Sequence, residues 1–227
     1  MTNPYSMRCP IQTHRSPYIA GTWHDLLNPV PERIDIREVA YHLARINRFV
    51  GASEISVAQH CVEGAEYILE RWTDIATRSH GRGASTTAAL LREGTAYAFL
   101  LHDAHEAIVG DVSSPAKRAM HAIQRADYDV FENPWRKLEN MWAEAFATRF
   151  ELDRVAHSPG IVHQVDMKMG REEAEVTFHQ AGDLYGPEMA HQVMVGSYTV
   201  AQAEGNYLRM YKRLATALGL TVHPTGA

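Results

Sequence analysis

The chain has 227 residues, of which 45% are apolar, and carries a formal net charge of −5. That length supports one sizeable core, and the acidic balance excludes a protein that coats nucleic-acid polymers, which needs a basic surplus or stripe. The two cysteines, Cys9 and Cys61, stand far apart in no disulfide or metal spacing, Met1 to Pro10 lack the apolar run of a signal peptide, and no stretch nears the roughly 20 apolar residues of a membrane span, so a cytoplasmic setting without membrane contact is expected.

Residues 1–34 are rich in Pro, Gly, Thr and Asn and have no helical period; they read as an irregular arm in which Pro17 to Trp23 can form a short strand or hairpin. Asp35 caps a helix whose apolar positions Ile36, Val39, Ala40, Leu43, Ile46 and Val50 run to a stop at Gly51, with Arg45 and Arg48 off the apolar stripe. Ser56 opens a second helix to about Trp72, burying Val57, Cys61, Ala65, Ile68 and Leu69, with His60 beside that stripe. Thr73 to Thr87 reads as a polar loop carrying Arg78 and Arg82. A third helix starts at Thr86 or Thr87, runs through Leu101-His102-Asp103 and Glu106, and breaks at Gly110. Ser113-Ser114-Pro115 opens a helix to about Glu132, and Asn133-Pro134 opens one to Phe150 that turns Leu138, Met141, Trp142, Ala145 and Phe146 inward. Ser158-Pro159-Gly160 precedes a helix over Ile161 to Phe178. The last helix covers about Pro187 to Leu218, with an interruption near Gly196 or Gly205. The expectation is an all-α single domain over 1–227: an N-terminal arm (1–34), a helical core (35–185) and a C-terminal helix (186–227).

The stretch from Ala98 to Asp111 concentrates the chemistry. Adjacent helical residues point about 100° apart, so His102 and Asp103 can share one ion only if it sits over their common edge. Glu106, at i+4 and i+3 from that pair, projects over the same side. His60 and Asp166 can complete a set of two imidazoles and two carboxylates if their helices pack against the third. Such a mixed nitrogen and oxygen set leaves positions open for water and a phosphate oxygen, and suits Co, Mn, Zn, Fe, Ni or Mg. The alternatives are a hydrogen-bonded core histidine at 60, and a surface acid at 166 paired with Lys168 or Arg171. His121, His157 and His163 were the candidates for a second ion, but no His-His step occurs there, so one ion is expected. His105 is expected to turn away from it.

The order His60, His102-Asp103, Asp166 resembles the signature of HD-domain metal-dependent phosphohydrolases. Within that superfamily the chain is most similar to bacterial 5′-deoxynucleotidases and phage deoxynucleoside triphosphate triphosphohydrolases. Ile46-Asn47-Arg48-Phe49 and Ser56-Val57-Ala58-Gln59-His60 match their pattern around the first histidine; His102-Asp103, Glu106, Asp111, Pro115 and Lys117 match the long central motif. The resemblance covers roughly residues 35–185. It implies an HD-type helical bundle in which His60, His102, Asp103 and Asp166 hold one divalent ion, Glu106 activates the attacking water, and Asp111 assists as a second acid-base or orienting carboxylate. Arg48 and Lys117 would neutralise phosphate charge, and Phe49 would pack on the deoxyribose or base. The implied substrate is a deoxynucleotide, with a lean to a dATP-type triphosphate over a 5′-monophosphate, since the arm and the 73–87 segment can enclose a longer phosphate tail. A non-catalytic nucleotide sensor is the reading from another class. Homo-oligomeric assembly and a bacterial or phage-infected host cytoplasm are implied too. Two positions depart from the family pattern: Phe49 where Trp is usual and helps exclude a ribose 2′-hydroxyl, and Gln59 where Glu is common.

Overall fold

The structure, a computed structural model, describes residues 15–17, 23–80, 88–128, 133–178 and 197–225. It is an all-α bundle with a two-stranded antiparallel ribbon at its start, β1 (Arg15–Pro17) and β2 (Trp23–Asp25), with Ser16 opposite His24. The expected hairpin is present, but its strands flank the 18–22 stretch, which lies outside the described residues. Trp142 Nε1 donates to the Leu26 carbonyl at 3.1 Å, fastening the segment that follows the ribbon to the body.

Helix α1 (Ile36–Leu43) is capped as the sequence suggests, the Asp35 side chain accepting from the Arg37 N–H at 2.9 Å. It ends at Leu43, seven residues short of the expected stop at Val50. Backbone pairing across a short loop overrides the helical periodicity: Val57 N donates to Ile46 O and Arg48 N to Ile55 O, each at 2.9 Å, drawing residues 46–48 into an extended bridge with 55–57. Phe49, Val50 and Gly51 then turn through positive φ (56°, 60° and 80°), and Val50, expected on the buried stripe, is 78% exposed.

Helix α2 (Val57–His80) starts where Ser56 Oγ accepts from Gln59 N at 3.2 Å. It continues through 73–80, part of the segment expected as a loop, so Arg78 lies on a helix; Arg82 lies outside the described residues. Helix α3 (Ala88–Leu101) stops immediately before His102, residues 102–105 form a turn, and a one-turn helix, α4 (Glu106–Val109), follows and ends at Gly110 with φ 84°. Beyond it come α5 (Ser114–Tyr128), α6 (Pro134–Arg149), α7 (Pro159–Phe178) and α8 (Val200–Ala217). Asn133 caps α6 by accepting from Trp135 N and Arg136 N, and Thr199 and Gln202 form a capping box on α8. α8 runs unbroken through Gly205; Gly196 and the start expected near Pro187 lie outside the described residues. No helix among the described residues is long and apolar enough to cross a membrane.

Helices α2, α3 and α8 pack on one another, α7 lies against α2 and α3, and α1 rests on α4 and α8. Tyr97, Phe99, Trp142, Phe150, Tyr207 and Tyr211 fill the centre. The buried phenols are satisfied: Tyr97 donates to Phe150 O and Tyr207 to Leu100 O, each at 3.0 Å. Tyr207, Tyr211 and Leu214 of α8 are buried within the chain's own core.

The approach of α2 to α3 decides where the two site histidines sit, and Gly64 permits it. A Cβ on Gly64 would fall 2.0 Å from Phe99 Cε1, and that ring is fully buried, with no solvent to swing into. Gly64→Ala is therefore expected to destabilise the fold by roughly 1–3 kcal/mol through overpacking, read as a lower midpoint in thermal or urea unfolding. An unchanged midpoint would show that the helices separate at little cost.

Candidate metal centre and adjoining cavity

His60 lies in the first turn of α2, fully buried. His102 and Asp103 sit in the turn between α3 and α4, a break that replaces the expected continuous helix; there His102 N donates to Phe99 O and Glu106 N to Asp103 O in short i+3 bonds. The turn, and not a shared helical edge, lets both side chains face inward. Asp166 comes from α7. His60, His102 and Asp103 each offer a ligand atom, and these lie within 4.8 Å of one another. Asp166 Oδ1 is 3.3 Å from His60 Nε2 and 3.7 Å from His102 Nε2, and Asp103 Oδ2 is 3.1 Å from His102 Nε2. Donors about 2.1 Å from a common ion sit roughly 3.0–3.5 Å from each other in tetrahedral or octahedral arrangements, so the spacing fits a divalent cation.

The outer ring nitrogens support the same reading. His102 Nδ1 is 2.6 Å from the Phe99 carbonyl, which can only accept, so Nδ1 carries the proton and Nε2 the lone pair. His60 Nδ1 is 2.8 Å from Glu173 Oε1, which fixes the same tautomer. Both Nε2 atoms are buried without a hydrogen-bond partner. Nε2 lone pairs facing carboxylate oxygens at 3.1–3.7 Å repel them unless a positive charge, a bound cation or a ring proton, lies between. Consistently, although burial disfavours the charged imidazole, Asp103 and Asp166 push the His102 pKa well above its ordinary value. Burial would raise Asp103, and the facing His102 outweighs it, holding that carboxyl below the usual range.

Asp103 and Asp166 stand in the wall of a cavity of ≈ 300 Å³. Arg48, Phe49, Asp103, Glu106, Asp111, Lys117 and Asp166 all line it, so the residues singled out in sequence converge, with His60 and His102 behind them. Arg48 and Phe49 reach it because of the 46–57 bridge and the positive-φ loop. Their common face is not helical. Arg48 makes an ion pair with Glu173 through Nε at 2.6 Å, and its Nη1 is 3.8 Å from Asp103 Oδ2. The Phe49 ring stands edge-on to Phe178, centroids 5.4 Å apart.

Glu106 is 7% exposed, and its Oε2 has no hydrogen-bond partner. Burial first, then the charges of Asp103 and Asp111, raise its pKa well above the ordinary carboxylate value, making it a stronger base than a surface glutamate. Asp111 is raised as well, chiefly by burial. Lys117 Nζ is 2.5 Å from Glu139 Oε1, and His105, turned away from the ligands as expected, faces that same oxygen at 3.8 Å. Lys168, the alternative partner for Asp166, instead pairs with Glu172. His163 is exposed, and His121, His157 and His163 do not join the ligand group among the described residues.

Sequence reasoning missed Glu173 and Glu139. Glu173 lies seven residues after Asp166, two helical turns along the same face of α7, which was the available signal. Glu139 offered none, since it reaches Lys117 across the packing of α5 on α6. Gln59 has a structural account: its amide donates to Glu63 Oε1 at 2.9 Å and accepts from Tyr198 N at 2.8 Å, tying α2 to the segment before α8. A glutamate could not donate to Glu63, whose own pKa burial pushes up to about 7.

Fold and site together define an all-α protein with a His-His-Asp group that could hold a cation, its aspartate on the wall of a polar cavity. No family model matches this chain, and no curated protein matches it.

Proposed function

We propose that this chain is a metal-dependent phosphohydrolase acting on deoxynucleotide phosphates, with a dATP-type triphosphate as first substrate and a deoxynucleoside 5′-monophosphate as the alternative. One observation carries the reading: the His60 and His102 Nε2 atoms meet Asp103 and Asp166 carboxylate oxygens next to a cavity lined by both aspartates, Arg48, Lys117 and a buried Glu106 whose Oε2 has no hydrogen-bond partner. His60, His102, Asp103 and Asp166 would hold the ion. When bound, it supplies Lewis-acid polarisation of a phosphoryl oxygen and eases deprotonation of water.

The chain's own residues do the rest. Arg48 offers paired N–H donors to phosphate oxygens, and Lys117, steadied by Glu139, adds a point charge farther along the cavity. Phe49 provides an apolar wall for the sugar or base. Glu106 takes the proton of the water that attacks phosphorus, while the bond from phosphorus to the leaving oxygen breaks. Asp111, its pKa raised by burial, is suited to orient that water or return a proton to the leaving oxygen.

Incubation with Co²⁺ or Mn²⁺ and a panel of deoxynucleoside mono-, di- and triphosphates, followed by chromatography, tests this. Deoxynucleoside plus triphosphate is the first expectation, and orthophosphate from a monophosphate marks the alternative. Tight nucleotide binding without turnover across the panel would replace the enzyme with a sensor.

A further inference from the structure

We infer that Glu173 is a positioning residue that joins the cation site to the anion-reading arginine, an inference that rests on the proposed function. Its carboxylate is fully buried, and its two oxygens are divided between two jobs. Oε1 is 2.8 Å from His60 Nδ1, and Oε2 is 2.6 Å from Arg48 Nε. The first contact fixes the proton on Nδ1, so that the Nε2 lone pair faces Asp166 and the ligand group. The second commits Nε of Arg48 and leaves the terminal nitrogens on the side of the cavity and of Asp103. One helix, α7, thus carries both a proposed ligand, Asp166, and the carboxylate behind another ligand.

A buried carboxylate accepts from the neutral imidazole through one oxygen and neutralises the arginine through the other. Glutamine has the same shape but carries no charge and a single acceptor oxygen, so it can serve His60 or face Arg48 and must turn an N–H₂ toward the other. Loss of the first contact leaves the His60 N–H unmatched, and loss of the second leaves a buried arginine charge unpaired. A role confined to packing would leave both ligand affinities unchanged in this nearly isosteric variant.

The test titrates metal-free wild type and Glu173→Gln with Co²⁺, followed by visible absorption, and separately with inorganic phosphate by calorimetry. The variant is expected to bind Co²⁺ roughly 10- to 100-fold more weakly, the usual effect of losing the partner behind a ligating histidine. Its phosphate affinity is expected to fall as Arg48 loses its orientation. Glu173→Asp keeps the charge but is one methylene shorter; if Glu173→Gln does not fold by far-ultraviolet circular dichroism, the aspartate variant is expected to show a loss of the same kind. A folded variant with Co²⁺ and phosphate affinities within twofold of wild type would overturn the inference alone. Failure of the wild type itself to bind Co²⁺ would overturn the proposed function and this inference with it.

Discussion

Replacing Glu106 by Gln or Ala is expected to lower turnover of the best deoxynucleotide substrate by roughly 100- to 10,000-fold, the range for removal of a positioned general base. Metal affinity should stay within a few-fold of wild type, since Glu106 is not part of the His60, His102 and Asp103 ligand group. The separation of these effects is the informative part. Glu106 is almost fully buried, lines the cavity and has an oxygen with no protein partner. Burial and the neighbouring Asp103 and Asp111 make its charged form costly, so it gains more than a solvated carboxylate by accepting a proton. Gln keeps the volume and removes the basicity; a fall in kcat with little change in KM marks a group that acts in the transition state. Full activity in Glu106→Gln would remove this residue from the mechanism.

The second large effect concerns the ligands. His102→Ala is expected to lower Co²⁺ affinity by at least 100-fold, more than the loss of an outer partner, and to abolish metal-dependent turnover. A ligand that binds the folded state alone stabilises it by about 2.7 kcal/mol at 100 times its Kd, so wild type should melt higher on Co²⁺ addition and His102→Ala should not. Asp103 and Asp166 each face the His102 ring nitrogen, and removing that ring leaves the two carboxylates with one imidazole, His60, and too few donors to close the site. Asp166→Asn, which keeps the size but removes a charge, should give the same loss. Thermal unfolding with and without Co²⁺ checks both variants, and an undiminished metal-induced rise in either would refute the ligand assignment.

Much of the helical architecture was legible in the chain because its signals are local. Asp35, Ser56 and Asn133 cap helices through side-chain bonds reaching two or three residues, and Gly110 ends α4 with a backbone angle that glycine tolerates. Cap residues and spacing carry such information, so helix type and most helix starts could be written down directly. The residues proposed from the sequence also come together: seven of the nine line one cavity, and His60 and His102 lie beside two of them.

What lay beyond local reading was set by segments that meet in the folded chain. The periodicity of Ile46 and Val50 suited a continuing α1, yet pairing of 46–48 with 55–57 gave those backbone groups stronger partners and turned Arg48 and Phe49 toward the cavity. An unbroken helix through His102 looked equally sound, but a turn there aims His102 and Asp103 at one point, which consecutive helical positions do less well. Glu173 shares a helical face with Asp166, but only the packing of α7 on α2 places it behind His60 and beside Arg48. Composition, capping and residue chemistry are properties of a few neighbours along the chain and can be read from it. Which distant groups share a buried charge depends on how the helices pack, and that was decided by the tertiary structure.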